Sequence, residues 1–150
     1  MTSGFIKPEL TDTNRGFWDG AAEGVLALQR CDDCAELRYP PAQRCPRCLS
    51  SDATWQPISG RGEVLSYIVI HQRYHAAWAD RVPYNVALIQ LAEGPRMISN
   101  VVPLDRPDVS VGMPVQVVFD DEDGLRVPRF IGVDEDPAAY RNSAKSQGEQ

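Results

Sequence analysis

The sequence predicts a mostly-β fold: one short N-terminal helix, a small cysteine-rich ribbon, then a compact unit of five strands. Three observations carry this prediction. All four cysteines fall in two Cys-x-x-Cys pairs, Cys31/Cys34 and Cys45/Cys48. Five short runs rich in β-branched residues follow them, each bounded by turn signals. No helical periodicity separates these runs, which favours a small barrel or sandwich over a βαβ fold.

Residues 1–24 read as an N-terminal helical segment. After a polar, uneven start, Phe17, Trp18, Ala21 and Ala22 recur at helical spacing, with Asn14 as the expected cap. Gly20 and Gly24 keep that helix short. Residues 25–56 form the ribbon. Val25–Arg30 alternates into the first cysteine pair as a strand, and Pro40, Pro41 and Pro46 stiffen the loops. Trp55 and the segment 57–62 read as a joint.

Residues 57–134 hold the five strands: Gly62–His71, Tyr84–Leu91, Arg96–Val102, Pro114–Phe119 and Leu125–Ile131. Glu93-Gly94-Pro95, Asp105–Pro107 and Gly112 separate them, and Asp123-Gly124 is a hairpin signal between the last two. Closing five strands into a barrel removes most exposed edges, which a unit this small needs. The longest gap, 72–83, carries Tyr74, His75 and Trp78 and is expected to hold a helical turn. Residues 135–150, ending SAKSQGEQ, read as a disordered tail. Beyond the cysteine pairs there is no internal repeat.

Two residues between ligands let one tight turn present both sulfurs to the same ion. Two such turns complete a closed four-thiolate shell, with no coordination position left for water. The reading is a structural site for zinc, although spacing alone leaves iron open. Such ribbons often carry glycine after the second cysteine of each pair; Ala35 and Leu49 stand there instead. That change bears on the strain of the turn and on its amide–sulfur hydrogen bonds, and it removes no ligand. A thioredoxin-like redox pair needs one such motif beside a βαβ unit, a pattern missing from this sequence.

Bulk properties narrow the function classes. Hydrophobic residues make up 43% of the 150, enough for a core. The net charge of −6 and a pI near 4.8 argue against a general nucleic-acid binder, whose phosphate contacts need the opposite field. No apolar run approaches the ~18 residues that span a bilayer. The N-terminus lacks the basic start and apolar stretch of a secretory signal. A cytoplasmic address is therefore expected, where paired cysteines are read first as metal ligands.

The chain resembles a family of small bacterial and archaeal proteins that join a rubredoxin-like zinc ribbon to an acyl-CoA-associated OB-fold. The resemblance runs from about Phe17 to Gly132. It rests on Phe17-Trp18-Asp19-Gly20, on Leu28-Gln29-Arg30-Cys31 through Tyr39-Pro40-Pro41, and on Cys45-Pro46-Arg47-Cys48. It continues through Gly60-Arg61-Gly62 into Ser66-Tyr67, Val82-Pro83-Tyr84, Val86-Ala87-Leu88, Val111-Gly112-Met113-Pro114-Val115 and Pro128-Arg129-Phe130. It implies an N-terminal helix, a ribbon and a five-stranded OB barrel. For function it implies a non-catalytic accessory subunit of a thiolase-like enzyme, such as a thiolase or sterol-carrier-type aldolase, in lipid or steroid metabolism. Such a subunit binds acyl-CoA, docks to the enzyme, or does both, as part of a homo- or hetero-oligomer. A subunit of an enoyl-CoA hydratase complex is the alternative within the family, and a single-stranded nucleic-acid-binding OB protein is the alternative outside it.

Binding CoA calls for Arg or Lys at its phosphates. Arg61, Arg73, Arg96 and Arg129 are the candidates. Phe17, Trp18, Tyr74 and Trp78 are the candidates for contact with a partner or ligand. The remaining chemistry-bearing residues read as structural. His71 and His75 are polar residues at a strand end and in a loop, and Asp120, Asp121, Glu122 and Asp123 form a solvated turn. Gly60-Arg61-Gly62 is too short for a phosphate loop.

Overall fold

Helix α1 spans Arg15–Ala22 and buries Phe17 and Ala21 on one face. The structure, a computed structural model, describes residues 5–140. Asn14 stands at the expected cap position, yet its side chain does not cap the helix. Its Oδ1 instead accepts from the Thr11 amide at 2.8 Å, and its Nδ2 donates to the Glu9 carbonyl at 2.9 Å, closing the turn that precedes α1. Gly16 marks the crossing with Trp55, because a Cβ there would strike the indole.

Three strands make the ribbon: β1 (Ala27–Cys31), β2 (Leu37–Arg38) and β3 (Ala53–Pro57), in the order β2-β1-β3. β1 starts later than the expected Val25, because Val25 still donates to the Gly20 carbonyl and so finishes the helix. Trp55, expected in a joint, lies within β3 opposite Gln29. β2 and β3 are too short and too polar to show alternation; pairing with β1 creates them.

The second sheet holds β4 (Arg61–Ile70), β5 (Tyr84–Leu91), β6 (Arg96–Ser99), β7 (Pro114–Glu122) and β8 (Leu125–Gly132), ordered β6-β5-β4-β7-β8. It curls until its ends meet: Val101 bridges Phe130 in parallel, and the Val102 amide donates to the Phe130 carbonyl at 2.8 Å. This is the expected OB-type barrel. β5 shows why the chain pairs this way, since Asn85, Ala87, Ile89 and Leu91 alternate inward and are buried. Val64, Ile89, Val101, Val115 and Phe130 share one core with Phe17, Leu26 and Leu28, so the helix and ribbon pack onto the barrel. Gly60-Arg61-Gly62 serves close approach: a Cβ on Gly62 would meet the Gln90 carbonyl, and one on Gly60 the Val117 side chain.

Closure is partial. β4 pairs with β7 only over Arg61–Glu63, and from Leu65 onward that edge meets no strand among the described residues. The expectation of a barrel with few exposed edges is thus corrected, because β7 diverges to follow β8. The 72–83 loop contains the expected helical turn, a 3-10 helix over Ala76–Arg81, capped by His75, whose Nδ1 accepts from the Ala77 amide at 3.0 Å. Of the expected disordered tail, 135–140 is structured: 137–140 form a helical turn, and the Tyr140 hydroxyl donates to Asp120 at 2.8 Å. Residues 141–150 lie outside the described residues. No helix among the described residues is long and apolar enough to cross a membrane.

Candidate metal centre and docking groove

The two cysteine turns are built alike. In the first, the Ala35 amide donates to the Cys31 carbonyl at 2.9 Å and the Cys31 amide to the Glu36 carbonyl at 2.9 Å. In the second, Leu49 donates to Cys45 at 2.8 Å and Cys45 to Ser50 at 2.9 Å. Each turn places the residue after its second cysteine in the left-handed region, Ala35 at φ 66° and Leu49 at φ 65°. The strain expected from replacing glycine is therefore present, and these amide–carbonyl bonds form despite it.

These turns aim four sulfurs at one point. Sγ of Cys31 and Cys48 lie 3.4 Å apart, those of Cys34 and Cys45 3.6 Å apart, and all four lie within 4.8 Å of one another. A tetrahedral ion with Zn–S near ~2.3 Å needs sulfurs about this far apart. The amides of Cys48 and Arg47 draw the Cys45 thiol down to about 6, and those of Cys34 and Asp33 lower Cys31. The amides of Glu36 and Ser50 act likewise on Cys34 and Cys48, but burial and the neighbouring sulfurs prevail, raising Cys34 and pushing Cys48 up to about 12. Four thiols this close resist ionising together, and a divalent cation removes the conflict. The donor set fits structural zinc. Cys31, Cys34, Cys45 and Cys48 would hold it in a closed shell that crosslinks β1 to the following loop.

A second cluster of charge lies on the barrel. Arg129 is only 4% exposed, and its Nη1 donates to Asp120 and to Glu122, each at 2.7 Å. Arg81 grips the same Glu122 through two bonds of 2.7 and 2.9 Å. Trp78 lies beneath the Arg81 guanidinium at 4.7 Å and packs on Tyr84 at 4.8 Å. The cluster clamps the 72–83 loop onto β7 and β8. The reading of residues 120–123 as one solvated turn is corrected: Asp120 and Glu122 point inward on β7, and Asp121 and Asp123 face solvent. Strand alternation was the signal that could have shown it.

The four candidate arginines do not converge. Arg129 spends its charge on two carboxylates. Arg61 opens β4, and Arg96 lies across β5 from that end, opposite Gln90. Arg73 follows the far end of β4. Ten residues of strand separate Arg61 from that end, on the order of 30 Å at ~3.3 Å per residue.

Among the aromatic candidates, Phe17 is 4% exposed, packed on Trp18 and Tyr39 with ring centroids at 5.0 and 5.6 Å, and contributes to the floor of a groove with Trp18 and Trp78. Trp18 and Trp78 do come together. With Tyr39, Ile98 and Pro128 they line a groove of about 180 Å³ over the gap between β6 and β8, whose wall also carries Ser99, Asn100 and Arg129. Tyr74 stands apart and 72% exposed. Ile98 is the residue that sequence reading missed: β6 turns Met97 inward and leaves Ile98 66% exposed. Two consecutive apolar residues in a short strand were its only signal.

Comparison with known proteins agrees with this geometry. Residues 18–53 match the family model "ChsH2, rubredoxin-like zinc ribbon domain" and residues 55–120 match "ChsH2, C-terminal OB-fold domain". A "DUF35 domain-containing scaffold protein" of Methanocaldococcus jannaschii is 32% identical over 64% of this chain and 72% of its own length. The chain belongs to the DUF35 family of zinc-ribbon/OB-fold proteins. The "Probable enoyl-CoA hydratase alpha subunit" of Thermomonospora curvata is 38% identical over 73% of this chain but only 34% of its own length. The chain thus spans about a third of the hydratase alpha subunits it matches. Among solved structures, a chain of the "Ltp2-ChsH2(DUF35) aldolase" superposes with a TM-score of 0.75 at 36% identity, covering 84% of this chain and 98% of that one.

Proposed function

We propose that this DUF35 chain is a non-catalytic accessory subunit that docks onto an acyl-CoA enzyme of the thiolase or aldolase type. The observation that carries the reading is the likeness to the DUF35 chain of the Ltp2-ChsH2 aldolase, 36% identical and covered over 98% of its length. The scaffold name of the archaeal relative supports it. So does the chemistry of the chain, whose clustered acid and base groups, Arg81, Asp120, Glu122 and Arg129, bind one another. The groove at Trp18, Trp78 and Ile98 supplies an apolar anchor site of the kind that dominates docking energy. Because the arginines are spread over the barrel, the acyl-CoA is held mainly by the partner enzyme.

A second reading is favoured by the 38% identity to a hydratase alpha subunit: the enzyme served is an enoyl-CoA hydratase. One experiment separates the two. The chain is co-expressed with a candidate aldolase and, separately, a candidate hydratase subunit, and complexes are purified and assayed. The expected result is a stoichiometric complex with the aldolase and acyl-CoA turnover only in its presence. Turnover by the isolated chain would overturn the accessory reading, and a complex with the hydratase alone would select the second. Ile98→Asp is expected to weaken the complex by roughly tenfold or more, since a buried anchor is worth at least ~1.4 kcal/mol. Isothermal titration of the isolated chain with acyl-CoA is expected to show no saturable binding.

A further inference from the structure

We infer that Arg38 is the buried counter-charge of the four-sulfur site and biases that site toward a divalent ion. Arg38 stands on β2 and is only 6% exposed. Its Nε donates to Gln29 Oε1 and its Nη2 to the Ala42 carbonyl, each at 3.0 Å. Both acceptors are neutral. Its Nη1 is buried and meets no acceptor among the described residues. None of the ion pairs among those residues includes Arg38. Asp12 lines the same pocket, but its side chain is fully exposed and faces Arg15 at 3.8 Å. A buried charge is expensive unless an opposite charge answers it. Arg129, equally buried, is answered by two carboxylates, whereas Arg38 is answered by none.

The answering charge lies on the same face of the ribbon. Gln29 stands directly opposite Arg38 on one side and Trp55 on the other, so these three side chains share one face of the sheet. Cys31, two residues along β1, projects from that face too. One pleat, about 7 Å at ~3.4 Å per residue, separates the row of Arg38 from that of Cys31. The bond to Ala42 ties the guanidinium to the chain three residues ahead of Cys45. The Ala42 amide closes this clasp on Gln29 Oε1 at 2.8 Å. Four thiolates on a divalent ion leave two net negative charges, and on a trivalent ion only one. A cation held in a poorly solvated ribbon favours the more negative shell. The cysteine spacing leaves zinc and iron open. Arg38 adds to it a preference for Zn2+ or Fe2+ over Fe3+, acting through charge and not as a ligand.

The test is the zinc affinity of the full chain, measured by competition with a chromophoric chelator, with circular dichroism to verify folding. Arg38→Met is expected to hold zinc roughly tenfold more weakly, and Arg38→Lys to stay close to wild type. Gln29→Glu separates charge from clasp, because it keeps the acceptor for Arg38 and Ala42 yet supplies the carboxylate that Arg38 lacks. It too is expected to weaken zinc binding roughly tenfold, whereas a mere clasp would be strengthened by the added charge. Should Arg38→Met not fold, Gln29→Glu decides. The full chain loaded with iron gives a second readout, since both oxidation states share one fold. Its ferric/ferrous midpoint is expected to fall in both variants by about 59 mV, the equivalent of a tenfold weaker preference for the ferrous shell. Unchanged or tighter zinc binding by Gln29→Glu overturns the inference, as does an unmoved midpoint. So does saturable stabilisation of wild type by inorganic phosphate that Arg38→Met abolishes at constant zinc affinity, since the counter-ion is then a bound anion. A purified chain that binds no metal removes the zinc reading and this inference together.

Discussion

Ala35 and Leu49 hold left-handed backbone, φ 66° and 65°, at the positions where glycine relieves the cysteine turn. A residue with a Cβ costs roughly 1–2 kcal/mol there, and glycine gives back part of that through greater unfolded-state freedom. Ala35→Gly is therefore expected to stabilise the zinc-loaded chain by about 0.5–1 kcal/mol, read by chemical denaturation. Arg129 is the opposite case, a buried cation whose removal leaves the partly buried Asp120 and the buried Glu122 beside one another. Arg129→Leu is expected to destabilise by about 3–5 kcal/mol. Burial by itself would raise Glu122, but its bonds to Arg81 and Arg129 outweigh that and hold it below its ordinary value. A carboxylate lowered in the folded state contributes stability that is complete above its unfolded value, near 4.5, and is lost as pH falls through the lower folded value. Denaturation midpoints of wild type should fall across that acid range, and Glu122→Gln should flatten the slope.

At the scale of elements, the ribbon and the 72–83 loop are each fastened by chemistry rather than by area. β2 is two residues long and β3 five, too little strand to persist alone. Their fastening is the four-sulfur site, so metal binding there is folding free energy. Metal analysis of the purified chain is expected to give one zinc per chain; one iron instead would revive the choice that spacing left open. Chelation should consume protons as the thiolates become free thiols, erase the dispersed amide signals of β1–β3, and spare those of β5 and β8. The loop depends on Arg81 and Trp78 meeting Glu122 and Tyr84. No local pattern in 72–83 announces that clamp, because half of it lies on β7.

Across the whole molecule, the helix and ribbon share a core with the barrel: Phe17, Leu26 and Leu28 pack with Ile89, Val101 and Phe130. Common burial couples the parts, since exposing one face exposes the other. The zinc-loaded chain should melt in a single calorimetric transition, and its chelated form at a lower temperature with a smaller enthalpy. Two separate transitions in the loaded chain would show that the units fold independently. That coupling also explains how loss of the metal reaches the groove, whose wall combines Trp18 and Tyr39 from the helix and ribbon with Ile98 and Pro128 from the barrel.

The sequence by itself determined the metal site, because two residues between cysteines dictate one turn and two such turns dictate one shell. It also determined the order of the elements, and β5 residue for residue, because inward burial imprints period two on a central strand. Only the tertiary structure decided which side chains share a place. Phe17 went into the core, Arg129 went to two carboxylates, and Trp18 met Trp78 across sixty residues of chain. Local pattern carries burial and turn geometry, whereas a site assembled from separate strands depends on how far the sheet curls before its edges meet. That curl also left β4 without a strand on one side over Leu65–Ile70, and no run of six neutral residues could have said on which side of the barrel that edge would lie.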